Sequence, residues 1–159
     1  MKIITLSNFS AGFLSRFIST KLHGEIVDSE YGQYVQLMCI NGSELYQTPH
    51  NAALLLLDYN NLLSSMRLDK VKSLLIELTE CYFQYSNGNI LIINNAYLKR
   101  GVTSVGDAVI YNSSKNTQAD INLFLNQLSK QNKSICVFDI LSIYEEHGYH
   151  NLTDHHINL

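Results

Sequence analysis

The chain has 159 residues, 46% of them hydrophobic, and a mean hydropathy of −0.02, enough to bury one good core but not two, so a single domain spanning 1–159 is expected. Eleven Lys and Arg against fourteen Asp and Glu give a net charge of −3 with no basic stripe, which excludes a polyphosphate or nucleic-acid partner. The longest apolar run, Ala52 to Leu57, falls far short of the roughly 20 residues of a membrane span, and the apolar start is too short for a secretory signal. The expected setting is therefore cytoplasmic, away from membranes.

In chain order, Lys2 to Leu6 reads as a first strand and Ala11 to Leu22 as a helix, with Phe13, Leu14, Phe17 and Ile18 on one stripe and Ser10 placed to cap it. Glu25 to Val27 is a short second strand, followed by a loop containing Gly32 and a helical turn from Tyr34 to Ile40 that Asn41-Gly42 closes. Ala52 to Leu57 is apolar at every position, as a central strand covered on both faces must be. Asp69 to Tyr85 carries Val71, Leu74, Leu75, Leu78, Cys81 and Tyr82 at helical spacing and ends at Asn87-Gly88. Ile90 to Ile93 is a fourth strand, and 96–114 is a long polar excursion. Thr117 to Lys130 is a helix with Ile121, Phe124, Leu125 and Leu128 inward. Ile135 to Phe138 is a fifth strand ending at Asp139, and Ile140 to His147 is a short helix before the closing HGYHNLTDHHINL. Strands alternating with helices predict an α/β, three-layer, flavodoxin-like fold: about five mainly parallel strands with helices on both faces.

Cys39, Cys81 and Cys136 are widely spaced and flanked by apolar residues, which predicts buried reduced thiols and no zinc site. His147, His150, His155 and His156 crowd the closing segment, but a solvated tail is the more ordinary explanation than a metal, and no metal or cofactor is expected. The junction from Ser7 to Ala11 also lacks the glycine fingerprint of a dinucleotide site.

In a doubly wound sheet, ligands bind beyond the carboxyl ends of the strands. The residues there are Ser7, Asn8 and Ser10; Glu30 to Gln33; Asp58 to Asn61; Asn94 and Asn95; Asp139; and the tail around Asp154. All are polar or small, as strand ends at a surface often are.

Several segments together resemble a known family: the opening KIITLSNFSAGFLSRFI, the stretch DSEYGQYVQLMCINGSELYQTPHNAALLLLD from Asp28 to Asp58, NNAYL after the fourth strand, and the closing HGYHNLTD. They are similar to the amino-terminal domain of FkbH-type proteins, an SGNH-hydrolase-like domain usually fused ahead of a haloacid-dehalogenase-like (HAD-like) catalytic domain. The resemblance implies a serine after the first strand, oxyanion donors in two later loops and a closing Asp-x-x-His. Here the usual Gly-Asp-Ser is replaced by Ser7-Asn8-Phe9, with Ser10 one position late. Gly32 stands at the oxyanion glycine, and Asp58-Tyr59-Asn60-Asn61 matches the Gly-x-Asn-Asp block, so that Asn60 takes the amide-donor position. Asp154 is followed by His155 and His156 rather than by a histidine three residues on.

Two functions follow from the resemblance. In one, a degenerate SGNH-like module binds a small acyl or glyceryl ligand at Ser7, Asn8, Gly32, Gln33, Asp58 and Asn60, or engages an acyl carrier protein or a companion HAD-like catalytic domain. In the other, an atypical esterase or acyltransferase uses Ser10 as nucleophile, His156 as base and Asp154 to orient it, with Gly32 and Asn60 holding the oxyanion. The Asp-x-Asp nucleophile motif of the family's phosphatase-like domain is absent from this sequence.

Overall fold

The computed structural model describes residues 1–22, 24–30, 32–98 and 114–147. Five strands, β1 (Lys2–Ser7), β2 (Glu25–Asp28), β3 (Ala52–Leu56), β4 (Ile90–Asn94) and β5 (Ile135–Phe138), form one sheet in the order β2-β1-β3-β4-β5. Every neighbouring pair is parallel, for example Ile4 opposite Ala53 and Leu54 opposite Ile92. The helices are α1 (Gly12–Leu22), α2 (Tyr34–Cys39), α3 (Glu44–Gln47), α4 (Tyr59–Ser65), α5 (Leu68–Tyr85), α6 (Ser114–Gln131) and α7 (Ile140–His147).

Strand alternation divides the core in two. Ile4, Leu6, Ala53, Leu55, Leu91 and Ile93 face one side, under Met38 of α2, Val71, Leu75, Leu78 and Tyr82 of α5, and Ile121 and Leu125 of α6. Ile3, Leu54 and Leu56 face the other, under Leu14 and Ile18 of α1 and Ile140 of α7. β3 is buried at all five positions because it lies at the centre of the sheet with helices on both sides, the environment its uninterrupted apolar run requires. The two Asn-Gly turns also form as expected, with Gly42 and Gly88 at positive φ.

Several boundaries differ from the sequence expectation. α1 begins at Gly12, so Ala11, whose carbonyl accepts from Ser15 N at 2.8 Å, opens the first turn and Ser10 precedes the cap position. α3 and α4 occupy stretches that periodicity leaves as loop. α6 starts at Ser114, and the excursion before it falls mostly on 99–113, outside the described residues. The excursion's described start is fixed: Ala96 N donates to Asn122 Oδ1 at 2.6 Å and Leu98 N to Gln118 Oε1 at 2.9 Å, which pins the chain to α6. No described helix is long and apolar enough to cross a membrane.

The expectation of three buried thiols is corrected. Cys136 is exposed and Cys39 and Cys81 are half-buried. Cys136 lies on β5, the edge strand among the described residues, and alternation turns it from the face that Ile135 buries. Burial pushes the Cys39 thiol up to about 12, reinforced by its hydrogen bond with Cys81 and by the Cys81 and Glu77 charges. Because the thiolate is the reactive form, iodoacetamide at mildly alkaline pH is expected to alkylate Cys136 well before Cys39 in the folded protein. Peptide mass mapping at short labelling times checks the order, and equal rates would contradict it.

Candidate functional site

At the carboxyl edge of the sheet, asparagine side chains continue the hydrogen-bond ladder past the strand ends. A carboxamide offers one acceptor and a donor, as a peptide group does. Asn8, after β1, accepts from Asp58 N at 2.7 Å through Oδ1 and donates to Asp58 O at 3.2 Å through Nδ2. Asn94, which ends β4 and is 2% exposed, treats Leu57 the same way: Oδ1 accepts from Leu57 N at 2.7 Å, and Nδ2 donates to Leu57 O at 3.0 Å and to Asn95 O at 3.0 Å. Asn95 carries the pattern to β5, accepting from Ile140 N at 3.0 Å and donating to Asp139 Oδ1 at 2.7 Å. β1, β3, β4 and β5 are thus tied together beyond their last regular pairs.

The helices that leave this edge are capped by aspartates. Asp58 Oδ1 accepts from Asn60 N at 2.9 Å and Asn61 N at 3.4 Å, capping α4. Asp139 does the same for α7, with Oδ1 accepting from Ser142 N at 3.4 Å and Oδ2 from the Ser142 hydroxyl. The Ser142 hydroxyl, and after it the Asn95 amide, hold the Asp139 carboxyl below its usual range despite some desolvation. A lowered folded-state pKa means that the carboxylate stabilises the fold above the ordinary value of about 3.9, and that this contribution is lost as the pH falls through the lower folded-state value. The stability difference between the parent and Asp139→Ala is therefore expected to be constant near neutrality and to shrink in acid. Urea midpoints measured across that range check it, and a pH-independent difference would refute it.

The ligand and catalytic candidates are dispersed. Ser7 Oγ donates to Phe9 O at 2.8 Å, Phe9 packs partly buried against the α1 face of the sheet, and Ser10 is exposed. Gly32 sits in a turn with φ +77°, its amide donating to Ser7 O at 3.1 Å, and Gln33 Nε2 donates to Glu30 Oε2 at 2.5 Å. Asn60 Nδ2 donates to Asp58 Oδ1 at 3.2 Å and to Tyr97 O at 3.1 Å. Both amides proposed to hold an oxyanion are therefore bonded within the protein. Asp154 and His156 lie outside the described residues.

A cavity of about 50 Å³ opens where β1 and β3 diverge into their separate connections, lined by Phe9, Asp58, Asn60, Tyr97, Ile140 and Tyr144 among others. This is the topological switch point of the sheet, since β2 lies on one side of β1 and β3 on the other. The Tyr97 and Tyr144 rings meet at a centroid separation of 5.2 Å, tilted by 59°. The cavity brings together Phe9, Asp58 and Asn60, whereas Ser10, Gly32 and Gln33 are not among its lining residues. Sequence reasoning missed Tyr97, Ile140 and Tyr144. Ile140 and Tyr144 stand four residues apart on α7, a spacing that puts them on one helix face and could have flagged the pair.

No protein-family model and no curated protein matches the sequence. Among solved structures, the fold is similar to the N-terminal part of the protein BF1531 from Bacteroides fragilis, which contains a phosphatase domain and was crystallised in complex with Mg. The TM-score is 0.72 at 16% identity, over 93% of this chain and 42% of that one. The chain thus spans less than half of that structure. At this identity the likeness establishes the α/β fold with its five-stranded parallel sheet.

Proposed function

We propose that this chain is a degenerate SGNH-like domain of an FkbH-type biosynthetic protein, acting in the cytoplasm and binding rather than cleaving. Its ligand is a small acyl or glyceryl group, free or on a carrier protein, and its larger partner is a HAD-like catalytic domain. The observation that carries the reading is that the amides needed for an oxyanion hole, Gly32 N and Asn60 Nδ2, are already bonded to Ser7 O, Asp58 Oδ1 and Tyr97 O. An oxyanion hole works because its donors are aimed in advance at the developing charge, and donors committed elsewhere supply no such stabilisation. Phe9 at the position of the nucleophile supports the same reading. Family assignment draws on the quoted segments and on the likeness to the phosphatase-containing BF1531 fragment. Phosphoryl chemistry is left to a partner, because the sequence holds no Asp-x-Asp.

A serine-directed fluorophosphonate is expected to leave the folded protein unlabelled, while glycerol perturbs the backbone amide resonances of Asp58, Asn60 and Tyr97. Labelling that disappears in Ser10→Ala would overturn the reading in favour of an esterase or acyltransferase.

A further inference from the structure

We propose that the cavity at the β1–β3 switch point receives the head group of a small organic ammonium cation, with the rings of Phe9, Tyr97 and Tyr144 around it and the Asp58 carboxylate as its counter-charge. The inference rests on the binding reading above and adds the chemical class of the group bound.

The hydrogen-bond inventory of the wall is the first argument. Asn60 Nδ2 has two hydrogens, and both are committed, to Asp58 Oδ1 and Tyr97 O. Asn94 Nδ2 likewise has two, directed at Leu57 O and Asn95 O. The amides that line the cavity thus point their hydrogens into the protein, which leaves none of them to hold an anionic guest. Among its described lining residues there is no Lys, Arg or His to offset a negative ligand.

Charge is the second argument. The starts of α4 and α7 flank the cavity, and each already carries its own carboxylate, Asp58 and Asp139, so their partial positive charges are met from within. All the hydrogen bonds given to the Asp58 carboxylate fall on Oδ1, and among the described residues Oδ2 has none. Among the described residues the local charge is therefore negative at a wall of aromatic rings, whose faces also attract cations.

Size sets the third limit. A volume of about 50 Å³ admits a few water-sized groups, which suits an ammonium head and excludes the body of a large ligand.

The test is an NMR titration of the full chain with choline, following the amides of Asp58, Asn60, Tyr97 and Tyr144, beside its uncharged isostere 3,3-dimethylbutan-1-ol. Saturable shifts are expected with choline, and binding of the isostere weaker by about tenfold or more. Asp58→Asn retains a side chain that caps helices well, so the unfolding transition should hold while choline affinity falls by about tenfold. Equal binding of choline and the isostere, or unchanged choline affinity in a folded Asp58→Asn protein, would overturn the cation assignment. If glycerol shifts these amides and choline does not, the assignment falls while the binding reading stands. If none of them shifts these amides, both fall.

Discussion

Replacing Asn94 with Leu is expected to lower the stability of the fold by about 4–6 kcal/mol, a large fraction of the roughly 5–15 kcal/mol available to a domain of this size. The side chain is 2% exposed and makes three hydrogen bonds, two of them to the peptide groups of Leu57. Each such bond contributes about 1 kcal/mol net, and stranding Leu57 N without a partner costs about 1–3 kcal/mol more. Leucine has the same branched shape and leaves no empty space, so the loss arises from the unsatisfied backbone and from fitting two bulkier methyl groups. Asn94→Asp keeps an acceptor for Leu57 N but turns its other oxygen on the carbonyls of Leu57 and Asn95, and it is not expected to rescue stability. Asn8→Ala removes two hydrogen bonds rather than three and should cost less, about 1–2 kcal/mol. Urea unfolding with an unchanged m-value checks the series. A loss for Asn94→Leu no larger than that for Asn8→Ala would show that the ladder does not hold the sheet edge together.

The order of the elements was legible because two strong signals coincide with the architecture. A strand buried on both faces must be apolar throughout, and Ala52 to Leu57 is; a long helix on one face must repeat its apolar residues at helical spacing, and Val71, Leu75, Leu78 and Tyr82 do. Helices α3 and α4 gave no such signal. α3 buries only Leu45, and α4 buries Tyr59 and Leu62 within a sequence, YNNLLSS, whose asparagines and serines favour turns. The capping signal at Asp58 was present, but the matching family block drew attention to a ligand role for the same residues.

The candidate site was legible in position and not in use. Polar residues at the strand ends marked the carboxyl edge of the sheet correctly. Whether a carboxamide there faces a ligand or the next strand depends on which strands are neighbours, and spacing along the chain does not encode that. Asn8 meets Asp58, and Asn94 meets Leu57, only because β3 lies between β1 and β4. Tyr97 and Tyr144 are invisible for the same reason: one follows β4 and the other lies on α7, and the fold alone brings their rings together.

Tyr59 provides the second large effect, because it closes the ladder from beneath. It is 1% exposed, its hydroxyl donates to Asn94 O at 3.0 Å, and burial drives the pKa of that hydroxyl well above its ordinary value, so that it remains a donor throughout the working range. Tyr59→Ala is expected to cost about 3–5 kcal/mol, the range for emptying an aromatic site in a packed core. Tyr59→Phe keeps the ring and isolates the hydrogen bond, at about 1 kcal/mol. The informative measurement is the double-mutant cycle of Tyr59→Phe with Asn94→Leu. If Tyr59 and Asn94 act as one unit, with the hydroxyl holding the peptide whose side chain holds Leu57, their effects should deviate from additivity by about 0.5–3 kcal/mol. Additive losses would mean two independent bonds. The distinction bears on the cavity directly, because Asp58 lies between Leu57 and Tyr59 and its carboxylate is positioned by whatever fixes both neighbours. A coupled pair predicts that Tyr59→Phe shifts the amide resonances of Asp58 and Asn60 as well as lowering stability.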